Sequence, residues 1–167
     1  GPYSVVQEPI IDQGYIYFIL SDAGRQNLYR MNEVDLEVEP VLKGDFMIDN
    51  FSVRNGVIAF TKITATSPAE IWIKDESDVK CLSSFNLPLL NELKLSKPER
   101  FVFRASDGVL VEGWILPPIN FVEGKRFPGV VFVHGGPKSI FGYGFMFEHQ
   151  IHASHGYVVI YVNIRGS

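Results

Sequence analysis

Apolar and polar residues in the first half of the chain fall into short extended runs bounded by turn residues. In the run from Tyr15 to Leu20, Tyr15, Tyr17 and Ile19 share one face of a strand, and Ile16, Phe18 and Leu20 share the other. Both faces are apolar, as suits a strand stacked between neighbouring sheets. Turn signals follow at Ser21-Asp22-Ala23-Gly24, Arg54-Asn55-Gly56 and Thr66-Ser67-Pro68. The runs also recur. Gly14 to Phe18 returns as Gly56 to Phe60, an offset of 42, and Asn27 to Arg30 returns as Glu70 to Ile73, an offset of 43. Val5-Val6 and Met47-Ile48 lie 42 apart, and Val41-Leu42 and Cys81-Leu82 lie 40 apart. A period of about 40–45 residues is that of a four-stranded propeller blade. Residues 3–43 and 45–85 are therefore expected to be two successive blades. The plain alternative is an ordinary antiparallel sheet with accidental self-similarity.

The pattern changes after residue 86. Leu87 to Pro98 holds two prolines and polar residues, as a linker does. Phe101 to Arg104 and Val109 to Leu116 read as a hairpin about the turn pair Asp107-Gly108, and Pro117-Pro118 ends its second strand. Gly129 to Val133 is a short, continuously apolar run, as expected of a parallel strand buried on both faces. Tyr143 to Ser154 is expected to be a helix capped by Gly156, and Tyr157 to Val162 a second buried strand. Strand, helix and strand in about 35 residues make a βαβ unit with parallel strands.

Composition narrows the class. Of the 167 residues, 46% are apolar and 20% charged, which excludes wholesale disorder. No apolar run reaches the length of a membrane span, and no secretory signal is visible. One cysteine, Cys81, excludes a disulfide framework and a cysteine zinc cage, and it favours a reducing, cytoplasmic location. The net charge is −4, with 9 basic and 14 acidic side chains in residues 1–98 and 6 and 5 after that. Neither part carries the basic footprint of a nucleic-acid binder. A closed propeller needs about four to eight blades. The chain is therefore expected to be a piece of a longer protein, with Gly1-Pro2 resembling a protease-cleavage scar. Two blades alone leave apolar faces open, so self-association is expected.

Few residues offer chemistry. His134-Gly135-Gly136-Pro137 follows the first buried strand, where ligands bind in open parallel sheets. Two glycines there let backbone N–H groups approach a ligand, as in half of an oxyanion hole; the bland reading is a glycine-rich turn. Gly136-Pro137-Lys138-Ser139 is not a phosphate loop, because Pro137 stands where a glycine is needed and has no N–H. His149, His152 and His155 are three apart, and His155 drifts about 120° from His149 on a helix, so no metal site is expected. Asn50-Phe51-Ser52 is read as a chance sequon. Arg165 emerges at the same sheet edge as the glycines, suited to binding a carboxylate or, the favoured reading, to a structural ion pair. No Gly-x-Ser-x-Gly occurs, so no serine sits in a nucleophile elbow and His134 is not expected to be a catalytic base.

One ordered combination is specific. Phe101, Phe103, Asp107-Gly108, Gly113-Trp114 and Pro117 are followed by Phe127-Pro128 and the run ending in His134-Gly135-Gly136-Pro137. Gly156-Tyr157 and Asn163-x-Arg165-Gly166-Ser167 complete it. Together they resemble the prolyl oligopeptidase family of serine peptidases, in its acylaminoacyl-peptidase and dipeptidyl-peptidase-like branch. The resemblance implies β-propeller blades followed by the start of an α/β-hydrolase domain: residues 1–85 as the last two blades, 86–98 as linker and 99–167 as the truncated catalytic domain. It implies a short peptide substrate, the rest of the parent chain as partner, and no metal or organic cofactor. It places an oxyanion-hole N–H on Gly136 or Gly135, with His134, Pro137 and Arg165 as structural support. The catalytic serine, acid and histidine are expected beyond Ser167, so this chain by itself is expected to be inactive. A carboxylesterase of the same hydrolase fold and a non-catalytic propeller-containing binding protein are the competing readings.

Overall fold

The computed structural model of the protein describes residues 7–135, 139–165 and 167. The expected pairing of Val5-Val6 with Met47-Ile48 begins outside them. The first eight strands make two antiparallel four-stranded sheets, each of strands consecutive in sequence. Sheet one holds β1 (Ile10–Asp12), β2 (Tyr15–Asp22), β3 (Arg25–Asn32) and β4 (Val38–Leu42). Sheet two holds β5 (Phe51–Arg54), β6 (Val57–Thr64), β7 (Ser67–Lys74) and β8 (Val79–Cys81).

The recurrence at 42 residues is a recurrence of turns. Gly14 and Gly56 each complete a two-residue hairpin loop, with φ of 80° and 76°, after Gln13 and Asn55 at 50° and 51°. Two successive positive φ angles match the right-handed twist of the flanking strands, and glycine adopts one at no steric cost. One expected turn moves. Ala65-Thr66 joins β6 to β7, and Ser67-Pro68 opens β7, where proline is tolerated at a strand start.

The core between the two sheets takes Tyr17, Leu28 and Leu42 from sheet one and Phe51, Ile58 and Phe60 from sheet two, with Ile48 between them. Fully burying side chains of this size contributes about 1.5–3 kcal/mol each. Polar contacts fix the stacking. Met47 bridges Gln26 and Ile63, and the Asp12 carboxylate accepts from the Asn55 and Gly56 N–H groups at 3.0 and 2.8 Å. Glu70 on β7 accepts from the Ser83 hydroxyl and from the Asn86 and Phe85 N–H groups, which hold its carboxyl below the usual carboxylate range.

The following segment is less free than its composition suggests. It contains a helical turn, α1 (Leu87–Leu90), and near its end Ser96 is buried. The Ser96 N–H donates to Gln150 Oε1 at 3.0 Å and its hydroxyl to the Pro117 carbonyl at 2.6 Å.

The third sheet holds β9 (Glu99–Arg104), β10 (Leu110–Leu116), β11 (Gly129–Val133) and β12 (Val158–Asn163), in the order β11-β12-β10-β9. β11 and β12 run parallel, in register from Gly129↔Val158 to Val133↔Val162, and the other pairs are antiparallel. The helix α2 (Phe147–Ser154) lies between β11 and β12 in sequence, so the expected βαβ unit is present.

Three details depart from expectation. The helix starts at Phe147, four residues later than expected, because sheet one captures the preceding backbone: the Tyr143 N–H donates to the Gly24 carbonyl at 2.9 Å. It does end as expected. Gly156, at φ 86°, donates to Ala153 and Tyr157 donates to His152, which satisfies two terminal carbonyls. The β9–β10 loop is five residues long, and Gly108 is the fourth residue of a turn from Ala105 rather than half of a two-residue loop. β11 is covered on one face only. Phe132 packs toward α2, while Val131 and Val133 are 61% and 58% exposed.

Sheets one and three meet at two glycines. A Cβ added at Gly142 would collide with the Gly24 backbone, and one added at Gly24 with the Trp114 ring. The Arg25 guanidinium lies over the Tyr143 ring at 5.0 Å. Gly142→Ala is therefore expected to destabilise the chain by about 1–3 kcal/mol, the range for an overpacked contact. A lowered urea midpoint would show it, and an unchanged midpoint would mean that this junction does not contribute to stability.

Candidate functional site at the ends of the parallel strands

Because β11 and β12 are parallel, both end at the same edge of the sheet. His134-Gly135 and the residues from Asn163 to Arg165 therefore emerge side by side, where open α/β sheets bind ligands. An added Cβ at Gly135 would meet nothing within 4 Å, so packing does not demand glycine there and the backbone is open to approach. Gly136 and Pro137, also predicted for this site, lie outside the described residues.

The two loops touch through side chains. His134 Nε2 is 2.7 Å from Ser167 Oγ, and that hydroxyl donates to the Ile164 carbonyl at 2.5 Å. Arg165 makes an ion pair with Asp107 of the β9–β10 turn, as expected of it. Both partners are substantially exposed, so the pair contributes at most about 1 kcal/mol. Asn163, which the sequence marks only as the first residue of the Asn163-x-Arg165-Gly166-Ser167 motif, has a definite contact. Its side-chain amide accepts from the Phe141 N–H at 2.7 Å and donates to the Phe141 carbonyl at 3.1 Å. That clamp places the Phe141 ring edge-on to His134, with centroids 5.4 Å apart. A cleft of about 440 Å³ opens where the Ser21–Gly24 hairpin tip faces the start of β10 and the segment after β12.

The floor of the site is aromatic. His149 is 2% exposed, with ring centroids 4.5 Å from Phe132 and 4.6 Å from Tyr161, and its Nε2 has no hydrogen-bond partner. Burial, reinforced by His152, pushes its pKa down to about 4, so the ring is neutral near pH 7. Burial likewise pushes the Tyr161 hydroxyl up. Among the described residues no three metal-ligating side chains converge, and no helix is long and apolar enough to cross a membrane.

The chemistry available is limited. His134 and Ser167 are within the reach of a base and a nucleophile. The serine proton, however, is directed at Ile164, and the other ring nitrogen faces the Gly135 carbonyl at 3.3 Å rather than a carboxylate. The backbone at Gly135 is open to approach, and no activated attacking group stands beside it among the described residues.

No family model matches the chain. An uncharacterized peptidase of Bacillus subtilis, YuxL, is 31% identical over 160 residues, which are 93% of this chain and 24% of that protein. Dipeptidyl-peptidase 5 of Porphyromonas gingivalis is 23% identical, over 93% of this chain and 23% of its own length. The solved acylaminoacyl peptidase of Pyrococcus horikoshii superposes with a TM-score of 0.84 at 36% identity, covering 97% of this chain and 25% of that one. The chain thus spans about a quarter of the length of the relatives it matches. Over that span its motifs, the order of its sheets and these likenesses agree, and the chain is related to the acylaminoacyl and dipeptidyl peptidases of the prolyl oligopeptidase family.

Proposed function

We propose that the chain is part of a longer serine peptidase that hydrolyses short peptides by acyl transfer to a serine outside this segment, without metal or organic cofactor. The observation that carries the reading is one ordered arrangement. Two consecutive four-stranded sheets lead into a sheet whose parallel strands end at a glycine loop. In this reading residues 1–85 are the last two blades of a propeller that restricts access, 86–98 join the domains, and 99–167 begin the α/β-hydrolase domain. The N–H of Gly136, or failing that of Gly135, stabilises the oxyanion, and His134, Pro137 and Arg165 support the loop. The single cysteine suits a reducing, cytoplasmic setting. The relatives are named as peptidases, which favours a peptide over a simple ester as substrate.

A fluorophosphonate probe, which labels activated serines, tests the assignment of roles. The 167-residue chain is expected to stay unmodified by intact mass, and the longer protein to be labelled at one serine outside this segment. Stoichiometric labelling of a serine within residues 1–167, with ester turnover lost on its mutation to alanine, would overturn the reading. So would a longer protein that takes up no label.

A further inference from the structure

The cleft beside the candidate site is aliphatic along its wall and charged at its rim. Val109, Leu110, Ile140 and Ile164 line it, three of them exposed. Two of its charged residues are already paired, Arg165 with Asp107 and Glu112 with Arg100. Asp22 is the third. It ends β2 opposite Arg25, across the two-residue turn Ala23-Gly24 with φ angles of 47° and 72°. Arg25 is drawn to Asp45 at 2.7 Å and lies over the Tyr143 ring, so Asp22 acts on it only through space. Among the described residues the exposed Asp22 carboxylate accepts no hydrogen bond from a side chain and makes no ion pair. The hairpin tip is fixed in place. Gly24 packs against the Trp114 ring and Gly142, and its carbonyl accepts the Tyr143 N–H at 2.9 Å. The contacts that join sheet one to sheet three therefore also hold Asp22 at the cleft.

We propose that this cleft is a subsite for a long basic side chain of the peptide substrate, lysine or arginine, and that Asp22 selects it. The methylene stem lies along the aliphatic wall while the charged head reaches the carboxylate, an arrangement that suits long cationic side chains. A free α-amino group has no stem, so the wall adds nothing to its binding. The bound cation also neutralises a carboxylate that no described residue neutralises. The proposal rests on reading the chain as part of a peptidase, because Asn163 to Arg165 border both the cleft and the candidate site.

Amide spectra of the 167-residue chain test the subsite without turnover. N-acetyl-lysine methylamide, whose termini are blocked, is expected to shift the Asp22, Leu110 and Ile164 resonances at low salt. N-acetyl-norleucine methylamide keeps the stem, lacks the charge and is expected to shift them much less. Asp22→Asn should abolish the lysine-dependent shift at an unchanged urea midpoint, and raised salt should weaken it. Equal shifts from the two probes, a shift that survives Asp22→Asn, or no shift with lysine overturns the subsite. So does a larger shift from norleucine amide, whose α-amine is free, than from the blocked lysine probe, since the cleft would then recognise an amino terminus. The choice of substrate is read in the longer protein, with short peptides that carry lysine or norleucine at each position in turn. At one position kcat/KM should favour lysine about fivefold, the scale of a partly exposed charge pair, and Asp22→Asn should remove that preference. Equal values for lysine and norleucine at every position overturn the role in selection. Failure of the peptidase reading is separate: no peptide would be cleaved while the lysine-dependent shifts stayed intact. In that case the cleft remains a cation site and its part in substrate selection is overturned.

Discussion

Acidification from about pH 7 to about pH 4 is expected to cost the chain at most about 3 kcal/mol of stability through His149 alone. In the folded state burial among Phe132, Phe141 and Tyr161, reinforced by His152, pushes its pKa down to about 4, against an ordinary value of 6.5. Between those two values the unfolded chain takes up a proton that the folded chain refuses. Stability is therefore intact above about pH 6.5, falls as the pH drops through that window, and levels off for this group once the native ring also protonates. Glu70 and Asp75 act lower down. Their carboxyls are held below the ordinary range by hydrogen bonds from Ser83 and Asn86 and from Ser77, so their contributions vanish only as the pH falls past the usual carboxylate values. His149→Phe keeps an aromatic ring in the cluster and removes the titration. Urea midpoints at about pH 7 and about pH 5 should differ clearly in the parent chain and much less in the variant. An equal difference in both would show that His149 is not responsible.

Gly136→Pro in the longer protein is expected to lower turnover by about 10²–10³-fold, the usual cost of losing one oxyanion donor. Proline has no N–H, so the substitution removes the proposed donor itself. Gly136→Ala keeps the N–H and separates donor loss from steric disturbance of the loop. The loss should appear in kcat more than in KM, because the charge being stabilised exists only on the way to the tetrahedral intermediate. Full turnover in a correctly folded Gly136→Pro protein would rule out that N–H and leave the N–H of Gly135 as the candidate, to be tested by Gly135→Pro.

Local signals in the sequence already determined the two four-stranded sheets and the parallel pair β11 and β12. A two-residue turn needs a particular glycine, and an apolar run of five or six residues bounded by proline and glycine has few alternatives. That is why Gly14 and Gly56 marked the repeat, and why Gly156 marked the helix end. That His134 and Arg165 emerge at one edge followed from the same logic, since parallel neighbours end together. What lay between elements distant in sequence was decided by tertiary structure. The helix begins at Phe147 because the Gly24 carbonyl, from another sheet, takes the Tyr143 N–H. Val131 and Val133 stay exposed because α2 covers only one face of β11. Asn163 clamps Phe141 and Ser167 meets His134 across separations of 22 and 33 residues, and Ser96 is buried by Gln150 from 54 residues away. Hydrogen bonds of this kind depend on two backbones arriving at one point, and neither partner's local sequence contains the position of the other.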